Sequence, residues 1–284
     1  MDIAVLSDIH GNYVALVKCI EYALARDIDT FIFLGDYIGE LAYPQKTMEI
    51  LYGLKAQCKC YFIRGNKENY WINYKRGSWH GWKKYDSTTG CLAYAYANLT
   101  EKDIRFFESL SHVGEVKVEG LPGITICHGS PENAREEMKA GKESTYALME
   151  KDKNNLILCG HTHRREKIEH NGTTVLNAGS VGISLSGDAK AQFLLLHGEN
   201  GEWNHEFVSV DYDREQVISE LYISGLTSLA PYWCKITEAV LRKGTVSHGS
   251  VLAKAMDLCK QEKGVCNWPE IPERYWEMAV AEML

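Results

Sequence analysis

Short apolar runs that stop abruptly at polar, metal-binding residues constrain the fold of this chain more than any other feature. The first run, residues 3–6, leads directly into Asp8 and His10. Four apolar residues bounded by polar ones predict a buried strand in a sheet covered on both faces. Because Asp8 and His10 are two positions apart, an extended segment would direct both side chains to one side, where they suit a divalent metal ion. The alternative is that Asp8 caps a helix starting near Gly11 while His10 packs.

Four later apolar runs end in the same way. They are residues 31–34 before Asp36, residues 60–63 before Asn66, residues 123–127 before His128, and residues 156–159 before His161 and His163. The strand-helix-strand order at the start of the chain predicts a parallel sheet with right-handed crossovers. The carboxyl ends of such strands meet at one edge of the sheet. Since burying so many unpaired polar groups would be costly, we interpret them as ligands.

Composition limits the class of protein. The chain has 284 residues, of which 45% are hydrophobic and 24% charged, which is typical of a globular protein. A net charge of −7 without a long basic run argues against a stable nucleic-acid complex. We find no apolar run near the roughly 18 residues that a membrane span needs, and no signal segment. Nine cysteines without a Cys-x-x-Cys pair favour buried reduced thiols over a metal clip, so we expect a cytoplasmic protein without membrane partners.

Two further regions differ in character. The chain turns helical after residue 212, which predicts a main domain over residues 1–212 and a helical C-terminal appendage over residues 213–284. We expect the appendage to supply no metal ligand and to pack on the domain, shape substrate access or form a subunit contact. Residues 70–96 are rich in tyrosine, tryptophan and glycine. They predict either a satellite hydrophobic cluster or a lid that faces the substrate, with Trp79 and Trp82 at the entrance.

The five strand ends resemble the motifs of the calcineurin-like metallophosphoesterase superfamily, in the family's order, over residues 8–163. The motifs stand here as Asp8-Ile9-His10, Gly35-Asp36, Gly65-Asn66-Lys67-Glu68, His128-Gly129 and Gly160-His161-Thr162-His163. Asn177-Ala178-Gly179-Ser180 is also similar to the Asn-Pro-Gly-Ser turn of the family's small bacterial-type branch, with Ala178 in place of proline.

The resemblance implies an α/β fold, namely a four-layer α-β-β-α sandwich of two mixed sheets flanked by helices. It also implies two metal ions at the sheet edge, with manganese, iron or zinc fitting the mixed ligands better than magnesium. One ion would be held by Asp8, His10 and His163. The other would be held by Asn66, His128 and His161, with Asp36 bridging both. The predicted catalytic residues are Asp36, Asn66 and His128, which match positions of the family's motifs, together with Lys67, which replaces the family's histidine.

The implied activity is hydrolysis of a small phosphodiester or phosphoanhydride, of the nucleotide or dinucleoside polyphosphate type, by a hydroxide that bridges the two metals. The partner is then a small phosphorylated substrate, and a homo-oligomer is left open. Lys67 stands where the family has histidine, so it is either a solvated lysine or a fixed positive charge near the leaving group. One alternative is a serine/threonine protein phosphatase, although the Asp-Arg that such enzymes carry after the second motif is missing. The other is a non-catalytic scaffold of the same fold.

Overall fold

The computed structural model of the protein describes residues 1–79 and 81–284. The first half contains β1 (Asp2–Leu6), α1 (Tyr13–Leu24), β2 (Thr30–Phe33), α2 (Pro44–Gln57), β3 (Lys59–Phe62), α3 (Glu68–Lys75), α4 (Gly90–Ala97), α5 (Glu101–Ser109), β4 (Val113–Val116) and β5 (Ile124–Cys127). The second half contains α6 (Glu143–Lys151), β6 (Leu156–Cys159), β7 (Arg165–His170), β8 (Thr173–Ala178), β9 (Ala191–Glu199), β10 (Glu202–Val210), α7 (Arg214–Ile223), α8 (Leu226–Leu229), α9 (Pro231–Lys243), α10 (His248–Lys263) and α11 (Glu273–Met283).

The strands form two mixed five-stranded sheets. One has the order β10-β9-β1-β2-β3, with β1, β2 and β3 parallel and β9 antiparallel to β1. The other has the order β4-β5-β6-β8-β7, with β5, β6 and β8 parallel. The hairpin of β7 and β8 turns at Asn171 and Gly172, where both residues adopt the positive φ that such a turn requires.

The alternation of side chains along each strand builds the layers. On β1, Ile3 and Val5 enter the cluster between the sheets, whereas Ala4 and Leu6 enter the cluster beneath the helices. Both faces of the strand are therefore buried, which explains its unbroken apolar sequence. The predicted α-β-β-α sandwich of mixed sheets flanked by helices is confirmed.

The C-terminal helices share a hydrophobic core with the main domain. Leu41, Tyr94 and Ile183 are buried in the same cluster as Leu221 and Trp276 from the appendage. The appendage therefore packs on the domain through an apolar contact. The boundary at residue 212 stays a prediction. No helix among residues 1–79 and 81–284 is long and apolar enough to span a bilayer.

Candidate metal centre

Tight turns after the strands aim the predicted ligands at one point. Asp8, His10, Asp36, His161 and His163 all have φ between 53° and 67°, a left-handed conformation that costs about 1–3 kcal/mol for a non-glycine residue. Backbone bonds from Asp8 N to Gly35 O (3.2 Å) and from His10 N to Asp36 O (2.9 Å) hold two of these turns together. Such strain is typical of functional sites.

A glycine allows this close approach. A Cβ atom on Gly160 would lie 1.9 Å from Ser7 Oγ and 2.5 Å from Asp8 Oδ2. The glycine therefore lets the loop after β6 reach the loop after β1, where the backbone N–H of His161 donates to Asp8 Oδ2 over 2.8 Å. Asp8 does not cap α1, because Asn12 is the N-cap residue and accepts from Ala15 N.

The first group of candidate ligands contains Asp8, His10 and His163. Asp8 Oδ1 lies 3.2 Å from His163 Nε2 and 3.6 Å from His10 Nε2. The two Nε2 atoms are 3.1 Å apart. Asp8 Oδ1 is buried and has no hydrogen-bond partner within the described part of the chain. An orphaned carboxylate oxygen beside two converging ring nitrogens fits a cation.

The second group contains Asp8, Asp36 and His128. Asp36 Oδ2 lies 3.4 Å from His128 Nε2 and 3.7 Å from His10 Nε2, so it stands between the two groups. Asn66 Oδ1 is 3.1 Å from His128 Nε2. His161 belongs to neither group of the described residues, and its Nε2 lies 3.2 Å from the backbone oxygen of Arg135. The structure thus brings six of the seven predicted ligands close together. His161 lines the cavity next to them but belongs to neither group.

Hydrogen bonds to the opposite ring nitrogen orient three of the imidazoles. His163 Nδ1 lies 3.0 Å from Ile183 O, and His128 Nδ1 lies 2.7 Å from Leu34 O. His10 Nδ1 lies 2.5 Å from Glu40 Oε2. Because each Nδ1 donates to an oxygen, Nε2 is the nitrogen that can bind a metal once the ring is neutral, an arrangement usual for histidine ligands.

The electrostatics of the site favour positive charge. Burial opposes protonation of His10 and His128, but the neighbouring carboxylates outweigh it and raise their pKa to about 10 and about 9. Burial likewise opposes ionisation of Asp8 and Asp36, yet the histidines hold the pKa of each carboxyl below its ordinary value. A field that retains protons on buried imidazoles also attracts a metal ion. The donor set and its field therefore indicate binding of divalent metal.

Two glutamates support the site, and the sequence interpretation assigned a role to neither. Glu68 accepts from the backbone N–H groups of Asp36 (3.1 Å), Tyr37 (2.9 Å) and Gly65 (2.8 Å), which ties the loops after β2 and β3 together. Burial and the Asp36 charge raise the pKa of Glu68 to about 7. Glu40 holds His10 as described. Its only sequence signal is a single acidic residue within an otherwise apolar stretch.

Lys67 is not a solvated lysine, so that interpretation was wrong. Only 18% of its side chain is exposed, and its Nζ pairs with Glu40 Oε1. Burial disfavours the ammonium, but the Glu40 carboxylate more than compensates and raises the pKa of Lys67. Glu40 thus joins His10 on one oxygen to Lys67 on the other, and the lysine stays charged at neutral pH.

A cavity of about 310 Å³ opens over these residues. Its polar lining consists of His10, Asp36, Glu40, Asn66, Lys67, Glu137, His161, Thr162 and His163, with Tyr70. It is also lined by Ile183 and Leu185 and, from the C-terminal helices and the start of α10, by Trp233, Val240, Ser247, His248, Gly249 and Leu252. The appendage thus shapes access to the site, and it supplies no member of the metal-ligand groups found among the described residues.

Trp79 and Trp82 are placed differently from our prediction. They line a second cavity of about 210 Å³ with Trp268 and Pro269, and neither lines the cavity over the metal ligands. Trp79 instead packs edge-on against Tyr70, which does line it, with ring centroids 4.8 Å apart. This part of residues 70–96 is therefore an aromatic cluster behind the cavity wall. Residue 80, within that stretch, lies outside the described residues.

Known proteins resemble the chain over most of its length. The uncharacterized protein MJ0912 of Methanocaldococcus jannaschii is 26% identical over 248 residues, which cover 81% of this chain and 94% of the relative. The crystal structure of hypothetical protein PH1004 from Pyrococcus horikoshii OT3 superimposes with a TM-score of 0.72 at 20% identity, covering 87% of this chain and 99% of that one. The crystal structure of a metallophosphoesterase from Sphaerobacter thermophilus superimposes with a TM-score of 0.66 at 19% identity, covering 86% of this chain and 99% of that one.

The two structural matches show a shared fold, and the sequence supplies the assignment. Residues 1–218 match the calcineurin-like phosphoesterase superfamily domain, which covers most of the chain. The motifs and the converging ligands described above are consistent with that match. The chain therefore belongs to the calcineurin-like phosphoesterase superfamily and is a metal-dependent phosphoester hydrolase.

Proposed function

We propose that the protein binds two metal ions, of manganese, iron or zinc type, and hydrolyses a small phosphodiester or phosphoanhydride of the nucleotide or dinucleoside polyphosphate class. The observation that carries the proposal is the position of Asp36 Oδ2, 3.4 Å from His128 Nε2 and 3.7 Å from His10 Nε2. One carboxylate between two sets of imidazoles suits a bridge between two cations. Bound metals would stabilise the phosphoryl charge and supply a nucleophilic hydroxide at neutral pH.

The chain's own residues support a preference for good leaving groups. Lys67 spends one of its three N–H donors on Glu40, and its side chain borders the cavity. The remaining donors can bind a phosphoryl or leaving-group oxygen. Because its pKa is raised, Lys67 stabilises negative charge better than it delivers a proton. Phosphoanhydrides and aryl diesters, whose leaving groups need little protonation, should therefore react faster than alkyl monoesters.

The size of the cavity supports a small substrate. About 310 Å³ lies at the lower end of the range for small-molecule sites, and helices α9 and α10 close one side. A phosphoprotein surface would need a broader opening. The nine free cysteines agree with a reducing compartment, so we place the protein in the cytoplasm, with small phosphorylated compounds rather than nucleic acid as partners.

The test is a leaving-group series with manganese, measured as kcat/KM, together with the metal content of the purified protein. We expect two metals per chain and rates that depend steeply on leaving-group acidity. Lys67→His should speed the poorest substrates most, because it introduces a proton donor. Lys46→His, at a lysine that pairs with Glu220 outside the site, should leave the series unchanged.

Other outcomes would separate the alternatives. Phosphoserine peptides cleaved as fast as dinucleoside polyphosphates would favour a protein phosphatase. Two bound metals with no turnover of any ester would favour a scaffold. If Lys67→His leaves the dependence of kcat/KM on leaving-group acidity unchanged, Lys67 does not act on the leaving group.

A further inference from the structure

Trp233 gives the cavity an aromatic surface close to the candidate ligands. Trp233 is half-buried, and its ring edge packs against the buried Trp276, with centroids 5.6 Å apart. Trp276 is itself anchored through Nε1, which donates to Thr88 Oγ1 over 3.0 Å. Ile183 and Leu185 line the same cavity. A fixed indole in a cavity that also has aliphatic walls is a preorganised stacking surface.

His248 adds a polar group with one defined role. It is 8% exposed, lines the cavity, and its ring centroid lies 4.8 Å from that of Trp233. Thr237 Oγ1 donates its single proton to Trp233 O over 3.0 Å, so it accepts from His248 Nε2 over 2.8 Å. The proton of the neutral ring is therefore on Nε2, and Nδ1 is an acceptor.

His248 Nδ1 has no hydrogen-bond partner among residues 1–79 and 81–284. Burial lowers the pKa of His248 to about 3, so the ring stays neutral at pH 7 and does not become a donor. Nδ1 is not among the fully buried unpartnered atoms of the described residues, so it is accessible from the cavity. An accessible acceptor beside an aromatic ring suits a planar ligand that carries an N–H or O–H group near its edge.

The wall is linked to the reaction site by Lys67. Its Nζ lies 5.9 Å from the centroid of the Trp233 ring while it pairs with Glu40, which holds His10. A ligand stacked on Trp233 would therefore place its phosphate near Lys67 and the candidate metal ligands. The ligand then has a planar ring with a donor at one end and a phosphate at the other.

We propose that Trp233 and His248 form a nucleobase subsite that selects substrates with an amino-bearing base, such as adenine or cytosine, stacked on Trp233 with the amino group donating to His248 Nδ1. This inference rests on the proposed function and names its substrate class. It also assigns the C-terminal helices a role in specificity, since the strand-end motifs supply neither residue.

The test uses three esters with the same leaving group: the 4-nitrophenyl esters of adenosine 5′-phosphate, of purine riboside 5′-phosphate and of methyl phosphate. Purine riboside keeps the ring and the ribose but lacks the amino group. The wild-type protein should show the highest kcat/KM for the adenosine ester and the lowest for the methyl ester. A flat series in the wild type would overturn the proposal without any variant.

Two variants then separate the roles. Trp233→Leu should raise KM about tenfold for both nucleoside esters, because base stacking on an aromatic ring is lost, and leave the methyl ester within about twofold. His248→Phe should raise KM about tenfold for the adenosine ester alone, because the acceptor is lost. His248→Gln, which restores an acceptor, should recover part of that loss, and Trp233→Phe should retain most of the stacking.

A surface histidine provides the matched control. His197 on β9 lies 3.1 Å from Asp2, away from the cavity, so His197→Phe should behave as the wild type with all three esters. If Trp233→Leu and His248→Phe lower kcat/KM equally for all three esters, both residues only pack in the cavity wall and do not bind the base. A His248→Phe effect that is the same for adenosine and purine riboside would exclude the amino group. No hydrolysis of any ester by the metal-loaded wild type would instead contradict the proposed function itself.

Discussion

Glu40→Gln is the perturbation that tests most directly how the site is supported. The Glu40 side chain is 3% exposed and connects His10, which is 2% exposed, to Lys67, which is 18% exposed. Glutamine keeps an oxygen that can accept from His10 Nδ1 but removes the negative charge. Lys67 then becomes a largely buried ammonium without its carboxylate, and His10 becomes a less basic ligand.

The structure gives the magnitude of both effects. Breaking a fully buried ion pair costs about 3–5 kcal/mol, and the partial exposure of Lys67 with the retained amide oxygen reduces this to roughly 2–3 kcal/mol. The melting temperature of the metal-free protein should fall by roughly 5–10 °C. Loss of the carboxylate behind a histidine ligand should weaken metal binding about 10- to 100-fold.

The double variant Glu40→Gln/Lys67→Met separates the two effects. Removing the orphaned ammonium should restore most of the melting temperature, while metal affinity should stay weak because His10 still lacks its carboxylate. Thermal unfolding in the presence of EDTA and calorimetric titration with Mn²⁺ measure the two quantities. Glu220→Gln is the matched control, because Glu220 pairs with Lys46 outside the site. This substitution should change the free energy of unfolding and the free energy of metal binding by no more than about 1 kcal/mol each. Wild-type metal affinity in Glu40→Gln, or full recovery of both quantities in the double variant, would refute the reasoning.

Three further predictions concern the same region. Asp36→Asn should keep the fold, seen by circular dichroism, but lower kcat more than about 100-fold at saturating Mn²⁺; a near-normal rate would exclude the bridging role. Metal binding at pH 7.5 should release about one to two protons, because ligation requires neutral His10 and His128 and pKa values near 10 and 9 keep these residues protonated. Metal affinity should therefore rise with pH. Calorimetry in buffers of different ionisation enthalpy measures the released protons, and metal binding without proton uptake by the buffer would contradict the prediction. Trp79→Ala and Trp82→Ala should alter KM for nucleotide and methyl esters equally, because both tryptophans line the other cavity. An increase in KM for nucleotide esters alone would instead show that they border the substrate entrance.

The layout of the elements was accessible from sequence because its signals are local. Pro44 at the first position of α2 and the capping box of Thr100 and Asp103 on α5 mark helix starts through bonds within a few residues. The apolar runs located the strands to within one or two residues at most ends. In contrast, the sequence does not define α3 and α4, since Gly77 and Gly81 interrupt the pattern and the aromatic residues have no single helical face.

The candidate metal ligands can be identified from the amino-acid sequence, because each motif is a short segment at the end of a strand and parallel strands end at a common edge. The surroundings of those ligands depend on tertiary packing. Glu40 meets Lys67 through the packing of two separate strand ends, and Trp233 and His248 reach the cavity because the C-terminal helices share an apolar core with the main domain. Spacing along the chain does not encode such contacts, since they depend on how buried surfaces fit together across the whole molecule.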